Sequence, residues 1–122
     1  DVIVYRYADA ILFDAEIKMA KNDISGAITS LNKIAERAYR KKDFYPSSMS
    51  VADLNEAIVT ERMKEFAAEG KLWWDFIRLG VVFKKAPYLI GRDNEQNVLL
   101  WPVSQTSINK NPNITQTPGY DK

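Results

Sequence analysis

The stretch IVYRYADAILFDAEIKMAKNDISGAITSLNKIAERAYRK, Ile3 to Lys41, decides the fold. Its first half places Val4, Ala8, Ile11, Leu12, Ala15 and Met19 on one helical stripe, which predicts an amphipathic helix from about Ile3 to Lys21. Its second half repeats the pattern with Ile24, Ala27, Ile28, Leu31, Ile34, Ala35 and Ala38, predicting a helix from about Asp23 to Lys41. Asn22 and Asp23 between them are turn and N-cap residues. A link this short turns the two helices antiparallel, so the stretch is a helical hairpin.

Beyond the hairpin, Tyr45-Pro46-Ser47-Ser48 breaks the helical pattern and marks Lys42 to Ser50 as a loop. Ser50, with Asp53 three residues on, is a capping signal for a third helix from Val51 to Glu69. Its apolar face is Leu54, Ile58, Met63, Phe66 and Ala67, and Gly70 offers a left-handed cap. A short fourth helix spans about Leu72 to Leu79, closed by Gly80. Trp73, Trp74 and Phe76 on it are expected in the core, because large rings dominate buried contacts. After Gly80, prolines and glycines punctuate the chain. Val98 to Val103 is a candidate short strand, with Tyr88-Leu89-Ile90 as its partner in a β-hairpin. Ser104 to Lys122 lacks periodicity and is expected to be an extended tail, pinned to the helical body by Ile108, Ile114 and Tyr120. The expected fold is all-α, one domain over 1–122, with a helical part at 3–80 and an irregular tail at 81–122.

Composition narrows the function. A chain of 122 residues, 46% hydrophobic and 27% charged, suits one globular domain and argues against disorder. A net charge of +1 gives no field to steer it toward nucleic acid or an anionic membrane. The sequence contains no Cys and no His, which removes thiolate zinc sites, cysteine nucleophiles and the Ser-His-Asp triad. No run approaches the roughly 20 apolar residues of a membrane helix. Beginning at Asp1 rather than Met is what a processed protein or a piece of a longer one would show.

The charged constellations have ordinary explanations. Glu61, Glu65 and Glu69 share a helical face and are expected to be satisfied by basic neighbours, with Arg62–Glu65, Asp75–Arg78 and Arg6–Asp9 as i, i+3 pairs. Arg37, Arg40, Lys41 and Lys42 suit the negative end of a helix. Asn113-Ile114-Thr115 matches a glycosylation acceptor that matters only in a eukaryotic secretory setting. No phosphate loop, nucleophile elbow or metal-ligand spacing occurs, so no cofactor or metal site is expected, and an enzyme reading rests only on the Glu61, Glu65 and Glu69 stripe.

Three stretches in order resemble one family. They are Arg6-Tyr7-Ala8-Asp9-Ala10-Ile11-Leu12 with Ala15-Glu16; Glu61-Arg62 through Lys64-Glu65-Phe66-Ala67 and Glu69-Gly70 into Trp73-Trp74-Asp75-Phe76, Arg78 and Gly80; and Pro102-Val103 with Ile108, Asn111-Pro112-Asn113-Ile114, Gln116 and Pro118-Gly119-Tyr120. Together they resemble the C-terminal portion of the SusD/RagB family, nutrient-binding lipoproteins of the Bacteroidetes outer membrane. Trp101, Ser104 and Ser107 depart from the family's usual tail pattern. The resemblance implies a tetratricopeptide-like helical hairpin with further helices. It implies non-catalytic capture of an oligosaccharide or other nutrient at the cell surface and delivery to a SusC-like TonB-dependent transporter. It also implies a lipid anchor that this chain does not contain, as the chain's only link to a membrane. The alternative is an intracellular tetratricopeptide-type protein-interaction scaffold. The aromatics outside the helix stripes, Tyr45, Tyr88 and Trp101, are the candidate ligand contacts. Three scattered rings predict weak or no nutrient binding by this chain alone.

Overall fold

The computed structural model describes residues 4–95 and 97–120. They form two compact units, Asp1–Leu79 and Gly80–Lys122. The described residues contain helices and turns and no strand.

The first unit holds α1 (Tyr7–Ala20), α2 (Ile24–Tyr39), α3 (Val51–Glu65) and α4 (Leu72–Arg78). The starts of the first three follow from local chemistry. The Asp9 carboxylate accepts the Arg6 backbone N–H at 3.1 Å as α1 begins. Asp23 caps α2, accepting the Gly26 N–H at 2.9 Å. A Cβ at Gly26 would lie 2.1 Å from Asp23 Oδ2, so a side chain there would displace the capping carboxylate. The Ser50 hydroxyl accepts the Asp53 N–H at 3.1 Å and opens α3. The hairpin is formed as expected, with α1 packed chiefly on α2 and α3 against both. Small residues at the contact, Ala8, Ala15 and Ala27, let the helices approach closely, and Leu12, Leu31, Leu54, Ile58 and Phe66 fill the centre with no exposure.

Several expectations about this unit need correction. Val4 and Ala38 are exposed rather than part of the stripes, and Ile3 lies outside the described residues. α3 stops at Glu65, a turn before Glu69, because the backbone turns left-handed at Ala68, φ +63°, and again at Gly70, φ +72°. Ala67 is therefore exposed. Trp73 and Trp74 are not core residues: they are 37% and 66% exposed. The inner face of α4 is taken by Asp75 and Phe76, 4% and 8% exposed. Successive helix positions diverge by about 100°, so turning Asp75 inward carries both indoles outward.

The second unit holds α5 (Val82–Lys85), a 3₁₀ turn at Pro87–Leu89 and α6 (Gln105–Lys110). The expected β-hairpin between Tyr88-Leu89-Ile90 and Val98 to Val103 is absent: the first is mostly 3₁₀ turn, with Pro87 denying a ladder donor. The tail is also not extended throughout, since Ser104 starts a helical turn and a half that ends before Asn111-Pro112. Residues 97–103 pair instead with 116–120 through side chains. Gln116 brackets Val103, its Oε1 accepting the Val103 N–H at 2.7 Å and its Nε2 donating to the Val103 carbonyl at 3.1 Å. Thr117 Oγ1 donates to the Trp101 carbonyl at 3.0 Å and the Tyr120 hydroxyl to the Leu100 carbonyl at 2.9 Å. Ile108, Ile114 and Tyr120 are each partly buried.

Candidate functional site

The first candidate ligand contact, Tyr45, lies on the loop after α2. Asn32 on α2 clamps that loop with a reciprocal pair of bonds: its amide donates to the Tyr45 carbonyl and its oxygen accepts the Tyr45 N–H, both at 2.9 Å. Between α2 and the loop runs a groove of about 720 Å³, walled by Thr29, Lys33, Glu36, Asp43 and Tyr45 among others. The mixture of hydroxyl, amide, charged and aromatic groups suits a polar, ring-bearing ligand. The Tyr45 hydroxyl itself points elsewhere, donating to Glu61 Oε1 at 2.8 Å. Tyr39 donates to the same oxygen at 2.5 Å, and Lys64 donates to the Tyr39 hydroxyl at 2.8 Å. Burial, and next the neighbouring Glu61 carboxylate, push the Tyr45 phenol far above its ordinary pKa, while the same two causes raise Tyr39 against the pull of Lys64. Glu61 is 1% exposed, and its Oε1 ties the loop and α2 to α3.

Glu65 and Glu69 are satisfied by basic neighbours, as expected, but across helices. Arg6 reaches both: it donates to the Glu65 side chain and carbonyl, and lies 2.9 Å from Glu69. Arg37 on α2 also donates to Glu65. Glu69, followed by Glu65, raises the Arg6 pKa, and Arg6 lowers that of Glu69. The expected Arg62–Glu65 pair does not form. Arg62 is 1% exposed and turns inward instead. Its guanidinium lies 3.5 Å from Asp9, 3.4 Å from Glu16 and 2.8 Å from Asp75. It stacks between two rings, 4.6 Å from the Phe13 centroid and 4.9 Å from Phe66. Two further cations close the cluster. Lys71 donates to Asp9 at 2.5 Å, and Arg78 pairs with Glu16 and, as expected, with Asp75 at 2.8 Å. Burial is the largest influence on Lys71 and opposes its charge, but Asp9 and Glu69 together leave the pKa raised, whereas burial alone lowers that of Arg78. Three carboxylates thus meet three cations, and the charges cancel.

The other two candidate contacts lie in the second unit. Tyr88 and Trp101 are 89% and 83% exposed, so both rings are open to a ligand. Among the described residues no cluster of acidic side chains is placed to hold a metal ion. None of the helices there is long and apolar enough to cross a membrane.

Comparison with known proteins agrees with this architecture. The profile of the SusD family matches residues 1–120. The chain belongs to the SusD family. The SusD-like protein P38 of Formosa agariphila is 30% identical over 98% of this chain, and the SusD-like protein P25 of the same organism is 33% identical over 66% of it. The aligned regions are 25% and 15% of those two relatives, so this SusD-family chain spans about a quarter of the length of P38. No solved structure matches it significantly. The geometry gives the SusD-like motifs a physical meaning. The Arg6 to Glu16 stretch supplies carboxylates from α1, the Glu61 to Gly70 stretch supplies Arg62, and the Trp73 to Gly80 stretch supplies Asp75 and Arg78. Sequence reasoning missed Arg62 as the hub. The available signal was the i, i+7 spacing of Asp9 and Glu16, which sets both acids beside the apolar stripe of α1 rather than opposite it.

Proposed function

We propose that the complete protein captures a glycan or another nutrient, without catalysis, at the surface of a bacterial outer membrane to which a lipid anchor ties it. It hands the nutrient to a SusC-like TonB-dependent transporter. The observation that supports this is the SusD family match across residues 1–120. The helical first unit is the scaffold in this reading, and Tyr45, Tyr88 and Trp101 are the contacts assigned to the ligand. Tyr88 and Trp101 suit that role because their faces are free, and aromatic faces stack on the apolar faces of sugars. Tyr45 suits it through the groove it lines. A hairpin of this kind would also serve a protein-interaction scaffold, but the family match favours nutrient capture.

Calorimetric titration of the complete protein and of the 122-residue chain against a glycan panel tests the proposal. The complete protein is expected to bind at least one glycan, and the chain alone weakly or not at all, because a tight site needs several groups held convergently on one frame. Equal affinity in the two places the whole site within these residues. No glycan binding by the complete protein removes the proposal.

A further inference from the structure

A second hollow lies where the start of α1 and the end of α2 meet the end of α3, about 520 Å³ in volume. Its floor is aliphatic: Ala8 and Ile34 are buried and Ile11 is partly buried. Tyr7, 78% exposed, stands at the rim. The charges around the hollow do not balance. Arg6, Lys33 and Arg37 line it with a single carboxylate, Glu65. Both oxygens of that carboxylate are taken, Oε1 by Arg6 and Oε2 by Arg37. Arg6 has a second acid in Glu69. Arg37 has no second acid, and its Nε and Nη1 make no hydrogen bond among the described residues. The Lys33 ammonium makes none there either, and Asp14, which feels its charge, is bonded to Lys18 at 2.7 Å. Both side chains are exposed, so these donors are open to a ligand. They sit one turn apart on α2, a spacing at which like charges repel.

We propose that this hollow binds a small monocarboxylate with a compact apolar body, of the arylpropionate or medium-chain alkanoate kind. Lys33 and Arg37 select the acid head: a carboxylate accepts a charge-assisted hydrogen bond from each and relieves their mutual repulsion. One negative charge suffices, because Arg6 is already neutralised by Glu65 and Glu69. Ala8, Ile11 and Ile34 select the apolar body. They present carbon side chains only, so a hydroxyl-rich ligand would lose its water over them without replacement. The volume falls within the range of roughly 300–1,000 Å³ for small-molecule sites, which leaves room for the body as well as the head. The site goes beyond the glycan capture proposed for the complete protein, since none of Tyr45, Tyr88 and Trp101 lines it.

The test is an NMR titration of the ¹⁵N-labelled chain with 3-phenylpropionate and octanoate at neutral pH, beside acetate and the neutral amides of the two longer acids. Saturable shifts at the Ala8, Ile11 and Ile34 amides are expected with at least one of the longer acids, in the millimolar range. Acetate, which lacks the body, and the amides, which lack the charge, are expected to bind more weakly. Lys33→Gln and Arg37→Gln are each expected to weaken the acid about two- to fivefold, the range of an exposed ion pair. Circular dichroism establishes that each variant stays folded, and the comparison of acids with amides needs no variant. Silence at Ala8, Ile11 and Ile34 with both longer acids overturns the site. So does binding of acetate or the amides as tight as that of the longer acids, or undiminished affinity in either folded variant. Lys33 also borders the groove beside Tyr45, so shifts confined to Thr29, Asn32 and Tyr45 put the acid there and overturn the proposal. Each of these outcomes leaves glycan capture by the complete protein standing.

Discussion

The two units of this chain are held by different physics. In Asp1–Leu79, side chains from three helices exclude water completely at Leu12, Leu31, Leu54 and Ile58, and a charge cluster centred on Arg62 sits beside that core. In Gly80–Lys122, the buried apolar residues among those described are Val81, Val82 and Leu89, and the rest is tied by side chains bonded to backbone carbonyls and amides. Burial yields roughly 25 cal/mol per Å² of apolar surface, while a hydrogen bond exchanged with water nets only about 1 kcal/mol. The first unit is therefore intolerant of single changes at its centre. The second is a set of nearly independent local ties.

That contrast predicts where the largest effect lies. Arg62→Ala leaves Asp9, Glu16 and Asp75 facing one another in a buried site, so it should destabilise the protein by about 3–5 kcal/mol in urea unfolding. A loss below about 1 kcal/mol would mean that the cluster is solvated and the contrast misplaced. Tyr45→Phe, at the edge of the same unit, removes one bond to the buried Glu61 carboxylate and should cost about 1.5–3 kcal/mol.

The tyrosine carries a pH signature as well. Its folded pKa lies above the ordinary value of 10.0, because burial first and Glu61 second disfavour the phenolate. The stability tied to the neutral phenol is complete below that value and declines as pH rises past it toward the folded pKa. Urea unfolding at about pH 8 and about pH 11 should show a smaller alkaline loss in Tyr45→Phe than in the parent. Equal losses in both proteins would contradict the assignment.

The smallest effect is expected in the second unit. Gln116→Ala removes the bracket on Val103 and a bond to the Thr117 N–H, at about 1 kcal/mol or less net. Its readout is faster proteolysis between Trp101 and Thr117 with the main unfolding transition nearly unmoved. A shift of that transition as large as the one for Tyr45→Phe would erase the difference between the units.

The aromatic residues show how far the candidate site was legible. Tyr45, Tyr88 and Trp101 were singled out because they fall outside helix stripes, and that criterion correctly places the last two on the surface. It says nothing of the Tyr45 hydroxyl, whose partner Glu61 is 16 residues away. Trp73 and Trp74 were expected in the core because large rings dominate buried contacts, and they lie on the surface, because a seven-residue helix has too few positions to define a face by itself. Tertiary contacts set the rotation of α4: Asp75 on Arg62, Arg78 on Glu16 and the burial of Phe76.

By itself the sequence determined the four helices of the first unit, their caps at Asp23 and Ser50, and the hairpin. Those features depend on period and on contacts within a few residues, where side-chain type is sufficient information. Tertiary structure alone decided which charges are buried. Glu61 and Arg62 look like any exposed helix pair until Tyr39 and Tyr45 come to one, and Asp9, Glu16 and Asp75 to the other. It also decided that residues 97–103 meet 116–120 rather than 88–90. A charge can enter a protein interior only with its partners. When those partners lie 13 to 53 residues away, as Asp75 and Asp9 do from Arg62, no local pattern announces the burial.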